Sequence, residues 1–195
     1  ALLKSDATTM DEAMDVVMDG EKVADKIVSI TAKIGEKISF RRFKKVTKSD
    51  NCAFGEYIHM GGKIAVLTVI EGGNTSVAKE VAMHAAAMRP LYVRNSDVPE
   101  EILNKEKEVM RQELLNEGKP EDKIENILVG KIRKYYEEVC LLNQIFVKAE
   151  NKETVEKYLA NNNATLVDMV RYEVGEGIEK RQENFADEVM SQING

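Results

Sequence analysis

Cysteine, histidine and proline are scarce in this sequence, and each scarcity narrows what the chain can be. Two cysteines, Cys52 and Cys140, and two histidines, His59 and His84, occur in 195 residues with no CxxC pair, too few ligands for a structural zinc site. Both cysteines have apolar neighbours, so free thiols of a reducing compartment are expected in preference to a disulfide. Three prolines and 12 glycines, beside 43% hydrophobic and 32% charged residues, exclude a disordered or fibrous composition. No run of about 18 apolar residues occurs, so no membrane-spanning helix is expected. No signal-peptide pattern opens the chain, and the cytoplasm is the expected location. Ala1 stands first in place of Met, which points to a fragment or a processed form.

Signatures of covalent chemistry are missing too. There is no GxGxxG and no GxxxxGK[ST], so the EGGN around Gly72 and Gly73 reads as a strand-ending turn. No serine has a GxSxG setting, and no local signature matches either histidine to a nucleophile. No catalytic residue, metal ligand or cofactor is expected. Lys and Arg number 28 against 34 Asp and Glu, a net −6 without one dominant basic block, which disfavours direct nucleic-acid binding.

What the sequence does have is clear periodicity. Val23, Ile27, Ile30 and Ile34 mark one face of a helix, with Gly35 a favoured stop. Residues 37–46 (KISFRRFKKV) are rich in strand-forming types. Residues 53–59 and 63–71 form a strand pair joined by Met60, Gly61 and Gly62. Val77, Val81, His84 and Met88 define a second helical face, closed by Pro90. Two charged helical stretches, 99–117 and 121–138, flank Gly118, Lys119 and Pro120 and read as an antiparallel helical hairpin with narrow coiled-coil stripes. Leu103, Met110 and Leu114 line one arm; Ile124, Leu128, Lys131 and Tyr135 line the other, with Ile127 and Ile132 beside them. Residues 140–148 read as a strand, 153–159 as a short helix, and Leu166, Val170, Tyr172 and Val174 as a last strand. Phe185, Val189 and Ile193 mark a terminal amphipathic helix over 183–193. Strands on both sides of a long helical insertion predict an α+β fold of antiparallel sheet subdomains packed with helices.

His84 shares its face with apolar residues and reads as a packing histidine. His59 differs: it ends a strand just before a glycine turn, where a side chain is held by the sheet yet exposed, so a functional role and a bland surface role both stay open. Ile34 is either part of a helix C-cap or a small apolar knob beside glycine.

The segments AKIGEKISFRRF (32–43), YIHMGGKIAVLTVIEGG (57–73), AKEVAMHAAAMRPLYV (78–93), LNEGKPEDKIENILVGKIRKYYEEVCLLNQIFVK (115–148) and VRYEVGEGIEKRQENFADEVM (170–190) together resemble bacterial translation elongation factor Ts, from about residue 20 to the end. The resemblance implies a guanine nucleotide exchange factor, not an enzyme, that binds elongation factor Tu and speeds GDP release during translation elongation. It implies three parts: residues 1–48, the remainder of an N-terminal core subdomain; 49–176, a C-terminal core subdomain with the hairpin inserted at 98–138; and 177–195, a C-terminal helical module. By motif, Ile34, Gly35 and His59 would press on the partner's nucleotide domain, while Phe146 and Val147 would meet its third domain. Lys148 stands where some members carry an apolar residue, and Ala65 replaces a common glycine.

The family's N-terminal helical domain and TDFV motif, whose Asp and Phe wedge beside the nucleotide, have no counterpart in these residues. The strand at 37–46 would thereby lose its family partner, and its open edge could recruit another chain to form a homodimer. The magnesium of the exchange reaction belongs to the partner in the family picture. The alternative expectation is a binding module that grips elongation factor Tu without efficient exchange. A nucleotide-dependent enzyme built around EGGN is a third and weaker rival.

Overall fold

A computed structural model describes residues 1–178, which fall into two units divided between Ser49 and Asp50. The helix expected at 183–193 lies outside the described residues, as does all but the start of the module at 177–195.

The first unit begins with α1 (Met10–Asp15), started by a capping box in which Thr9 Oγ1 accepts from Glu12 N and Glu12 Oε2 accepts from Thr9 N. Glu12 also accepts from Thr8 N, and these backbone hydrogen bonds hold its carboxyl down to about 2. A two-residue hairpin follows, β1 (Val17–Met18) paired antiparallel with β2 (Glu21–Lys22) across Asp19 and Gly20. The chain enters α2 (Val23–Ile34), which ends at Gly35 in the left-handed region at φ 74°, its N–H donating to Thr31 O at 2.9 Å. This is the stop expected from the sequence. Residues 37–46 form no strand. Their composition favours β structure, but a strand exists only against a neighbour, and no described strand pairs with them. Phe40 and Phe43 instead lie against each other with ring centroids 6.1 Å apart.

The second unit is built on a three-stranded antiparallel sheet in the order β3 (Cys52–His59), β4 (Ile64–Gly72), β5 (Ala164–Glu173). β3 and β4 form the expected hairpin, with His59 opposite Ile64 and Gly55 opposite Thr68. The helix α3 (Thr75–Met88) covers one face, its N-terminus capped by Asn74 Oδ1, which accepts from Ser76 N and Val77 N. EGGN is accordingly the β4-to-α3 turn. Ile64, Val66 and Ile70 from β4 pack with Val77, Ala78, Val81, Ala82 and Ala85 from α3, together with Leu141, Phe146, Val155, Leu159 and Leu166. The small residues of α3 let it approach the sheet so closely that buried Thr68 donates its hydroxyl to Ala78 O at 2.7 Å.

Two longer helices, α4 (Glu100–Asn116) and α5 (Glu121–Val139), occupy the two stretches read as helical from the sequence. Leu114, Ile124 and Leu128 are buried between them beside Met110, Ile127 and Ile132, and Lys131 pairs with Glu113 at 2.9 Å. The segment 140–148 departs from expectation. In place of a strand it makes a short 3-10 turn at Leu141–Asn143 and two isolated bridges, Tyr92 with Cys140 and Ile145 with Thr154. Its backbone donors go to scattered acceptors: Leu141 N to Tyr92 O, Leu142 N to Val93 O and Phe146 N to Glu153 O. It is an anchored loop whose apolar residues enter the core singly. The short helix α6 (Val155–Asn161) then leads into β5. Together the sheets and helices make an α+β fold. Neither cysteine is in a disulfide; Cys140 is buried, and that burial pushes its thiol up to about 11.

Candidate functional site

Three surface features carry the residues singled out by sequence. The first is the end of α2. Only Val23 of this helix is buried, and Ile34 is 52% exposed at its last position. The adjacent Gly35 has open space around its missing side chain. A branched apolar side chain beside a bare turn can enter a partner's pocket with little neighbouring bulk to hold the partner off.

The second is the end of β3. His59 is exposed and is followed by Met60, Gly61 and Gly62, all with positive φ, so the chain reverses abruptly beyond it. Its ring stacks beside Tyr57 with centroids 5.9 Å apart, and Tyr57 Oη lies 3.2 Å from Nδ1. The phenol fixes one side of the imidazole and leaves Nε2 for an incoming group. Ile58 and Met60 on either side are also exposed.

The third is the loop at 144–149, where the two predicted residues separate. Val147 is half exposed, whereas Phe146 is only 3% exposed and belongs to the core. Phe146 stacks on Tyr158 with centroids 4.0 Å apart and meets His84 on its other side at 5.7 Å. It supports the loop from beneath, and Val147 is the side chain presented outward.

Beneath Val147 lies a buried pair of polar side chains, His84 and Gln144. His84, fully buried in α3, has Nδ1 3.1 Å from the backbone N of Val147 and Nε2 3.0 Å from Gln144 Oε1. A backbone N–H can only donate, so Nδ1 accepts, and the ring proton resides on Nε2 and is donated to Gln144. Gln144 Nε2 in turn donates to Glu138 O at 2.7 Å, which fixes the amide's orientation. One helical turn earlier, Glu80 accepts from the Tyr158 hydroxyl and pairs with Lys148 at 3.1 Å. The Tyr158 hydrogen bond holds the Glu80 carboxyl below its usual range, while burial pushes the Tyr158 phenol up.

Burial lowers the His84 ring from its ordinary value of 6.5, against the smaller opposing effect of Gln144. The unfolded chain therefore binds the extra proton first as pH falls. The contribution of neutral His84 is complete above about pH 6.5 and is lost progressively as pH drops toward the lowered folded value. Thermal unfolding from pH 7.5 to 5 is expected to show this decline in the parent, and a His84→Gln variant is expected to lack that share of it.

Glu80 and Tyr158 had no sequence signal as supports of this loop, since the two lie 78 residues apart, and Gln144 had none as the partner of His84, 60 residues away. Among the described residues no cluster of His, Cys, Asp and Glu suited to a metal ion occurs, and no helix is long and apolar enough to cross a membrane. The family model for elongation factor TS matches residues 1–176 of the chain.

Proposed function

The chain belongs to the elongation factor Ts family, and from that premise we propose that it binds elongation factor Tu and accelerates release of its GDP. Membership of the family assigns the chain to translation elongation. The observation that carries the finer reading is the pair of apolar side chains, Ile34 and Val147, held outward on fixed backbone at a helix end and an anchored loop. Ile34, Gly35 and His59 are assigned to the partner's nucleotide domain and Val147 to its third domain, with Phe146 supporting Val147 from the core.

Exchange of this kind needs no bond-making chemistry. A factor that binds the nucleotide-free partner more tightly than the GDP-bound partner must, by thermodynamic reciprocity, weaken GDP by the same factor. Rigid anchors suit this role, because a contact already ordered before binding loses little entropy when the partner arrives.

Ile34→Ala is expected to weaken the complex by about 1 to 2 kcal/mol, the range of an interface anchor, which titration calorimetry against nucleotide-free elongation factor Tu would read. His59→Ala is expected to slow release of labelled GDP while leaving the circular dichroism spectrum and melting temperature at parental values. Equal release rates for His59→Ala and its parent would remove His59 from the site.

A further inference from the structure

We propose that His84 is a positioning residue for partner binding: its neutral ring, oriented by Gln144, fixes the backbone of Val147 and thereby the angle at which that side chain meets elongation factor Tu. The proposal rests on the assignment of Val147 to the partner interface and names a residue that cannot itself touch the partner, since His84 is fully buried.

The geometry is specific. Val147 lies in a loop outside any sheet, so no ladder holds its N–H, and that N–H donates to His84 Nδ1 at 3.1 Å. Phe146 N donates to Glu153 O and Ala149 N to Phe146 O, both at 2.9 Å, so the peptides around Val147 are tied at each side and His84 holds the middle. Only the tautomer with its proton on Nε2 can do this, and Gln144 Oε1 selects that tautomer. Gln144 is itself locked by donation to Glu138 O, the last turn of α5. A chain of three hydrogen bonds thus runs from the base of the helical hairpin, through the core, to the backbone under an exposed valine. An apolar side chain at that site, such as leucine, would fill the volume equally well but leave the Val147 N–H without its acceptor.

Isosteric variants separate positioning from simple packing. Asparagine places its side-chain oxygen the same number of bonds from Cα as Nδ1, and glutamine places its amide nitrogen the same number as Nε2. His84→Asn keeps an acceptor for Val147, and His84→Gln keeps only a group directed at Gln144. Two readouts are needed: hydrogen exchange at the Val147 amide in the free chain, and the concentration at half-saturation in the release of labelled GDP from elongation factor Tu.

His84→Gln is expected to speed Val147 amide exchange and raise the half-saturating concentration, each about tenfold, with the maximal release rate unchanged. His84→Asn is expected to hold both within about threefold of the parent. Added to Val147→Ala, His84→Gln should raise the half-saturating concentration no further. Equal impairment of the two variants, or a protected Val147 amide in His84→Gln alongside weakened binding, would overturn the proposal in favour of general destabilisation. A parental half-saturating concentration for Val147→Ala would overturn the interface assignment beneath it, and the amide readout in the free chain distinguishes that failure from failure of the positioning itself. If His84→Gln does not fold, loss of Val147 protection in His84→Asn overturns the proposal.

Discussion

Gly55→Ala is expected to destabilise the sheet unit by about 3 kcal/mol or more, the upper end of what overpacking a core costs. Gly55 lies on β3 under α3, and a Cβ there would sit 2.1 Å from the carbonyl carbon of Ala78 and 2.3 Å from its oxygen. Those atoms are helix backbone, which cannot rotate aside as a side-chain tip can. Relief requires α3 to lift from the sheet, and lifting it breaks the Thr68-to-Ala78 hydrogen bond and opens the packing of Val77, Val81 and Ala82. In a melt, a loss of that size corresponds to roughly 6 to 12 °C for a chain of this length. Gly130 is the internal control. It lies within α5 with open space around it, and Gly130→Ala should stabilise by about 0.5 to 1 kcal/mol through helix propensity alone. Equal stability of Gly55→Ala and parent would show that α3 does not seat as closely as described.

Phe146→Ala is expected to cost about 3 to 4 kcal/mol of stability, the usual range for removing a buried aromatic ring. The ring fills the space between Tyr158 and His84, so its loss leaves a cavity beneath the loop and removes the wall against which the imidazole rests. Val147→Ala, one residue along and half exposed, should leave stability within about 0.5 kcal/mol of the parent, as surface substitutions do. Urea unfolding reads the first effect and partner binding reads the second. Two neighbours read alike from sequence would then separate into a support and a contact. Comparable stability losses for both would contradict that division.

Much of the fold was legible because its signals are local. The Ile34-Gly35 helix stop, the His59-to-Ile64 hairpin and the spacing of Leu114, Ile124 and Leu128 each lie within one or two elements, and the structure reproduces them. Two local signals went unread, although both were present: Thr9 with Glu12, a capping box that starts α1, and Asp19-Gly20, a two-residue turn that makes the β1–β2 hairpin. What sequence could not supply was partnership. CLLNQIFVK and KISFRRFKKV both contain residue types that suit strands, yet neither is a strand. Whether such a segment pairs depends on what lies beside it, and the first finds separate acceptors on Tyr92, Val93, Glu153 and His84.

The candidate site divides in the same way. Ile34 and His59 are exposed at element ends, as their flanking glycines implied. The burial of Phe146 was hidden, because its covers, His84 and Tyr158, come from α3 and α6. His84 was legible as a packing histidine from its face on α3, but its bond to Val147 was not, since nothing in the local pattern aims an imidazole nitrogen at a loop 63 residues away.

The central claim is that this chain speeds the release of GDP from elongation factor Tu through contacts made by Ile34, His59 and Val147. Stopped-flow release of a fluorescent GDP analogue, followed at rising concentrations of the chain and of its Val147→Asp variant, tests it most directly. The account predicts a release rate that climbs with the parent and saturates, and a half-saturating concentration at least tenfold higher for the variant, as expected when a charge is buried at an apolar anchor. A rate equal to spontaneous release at every concentration of the parent would contradict it.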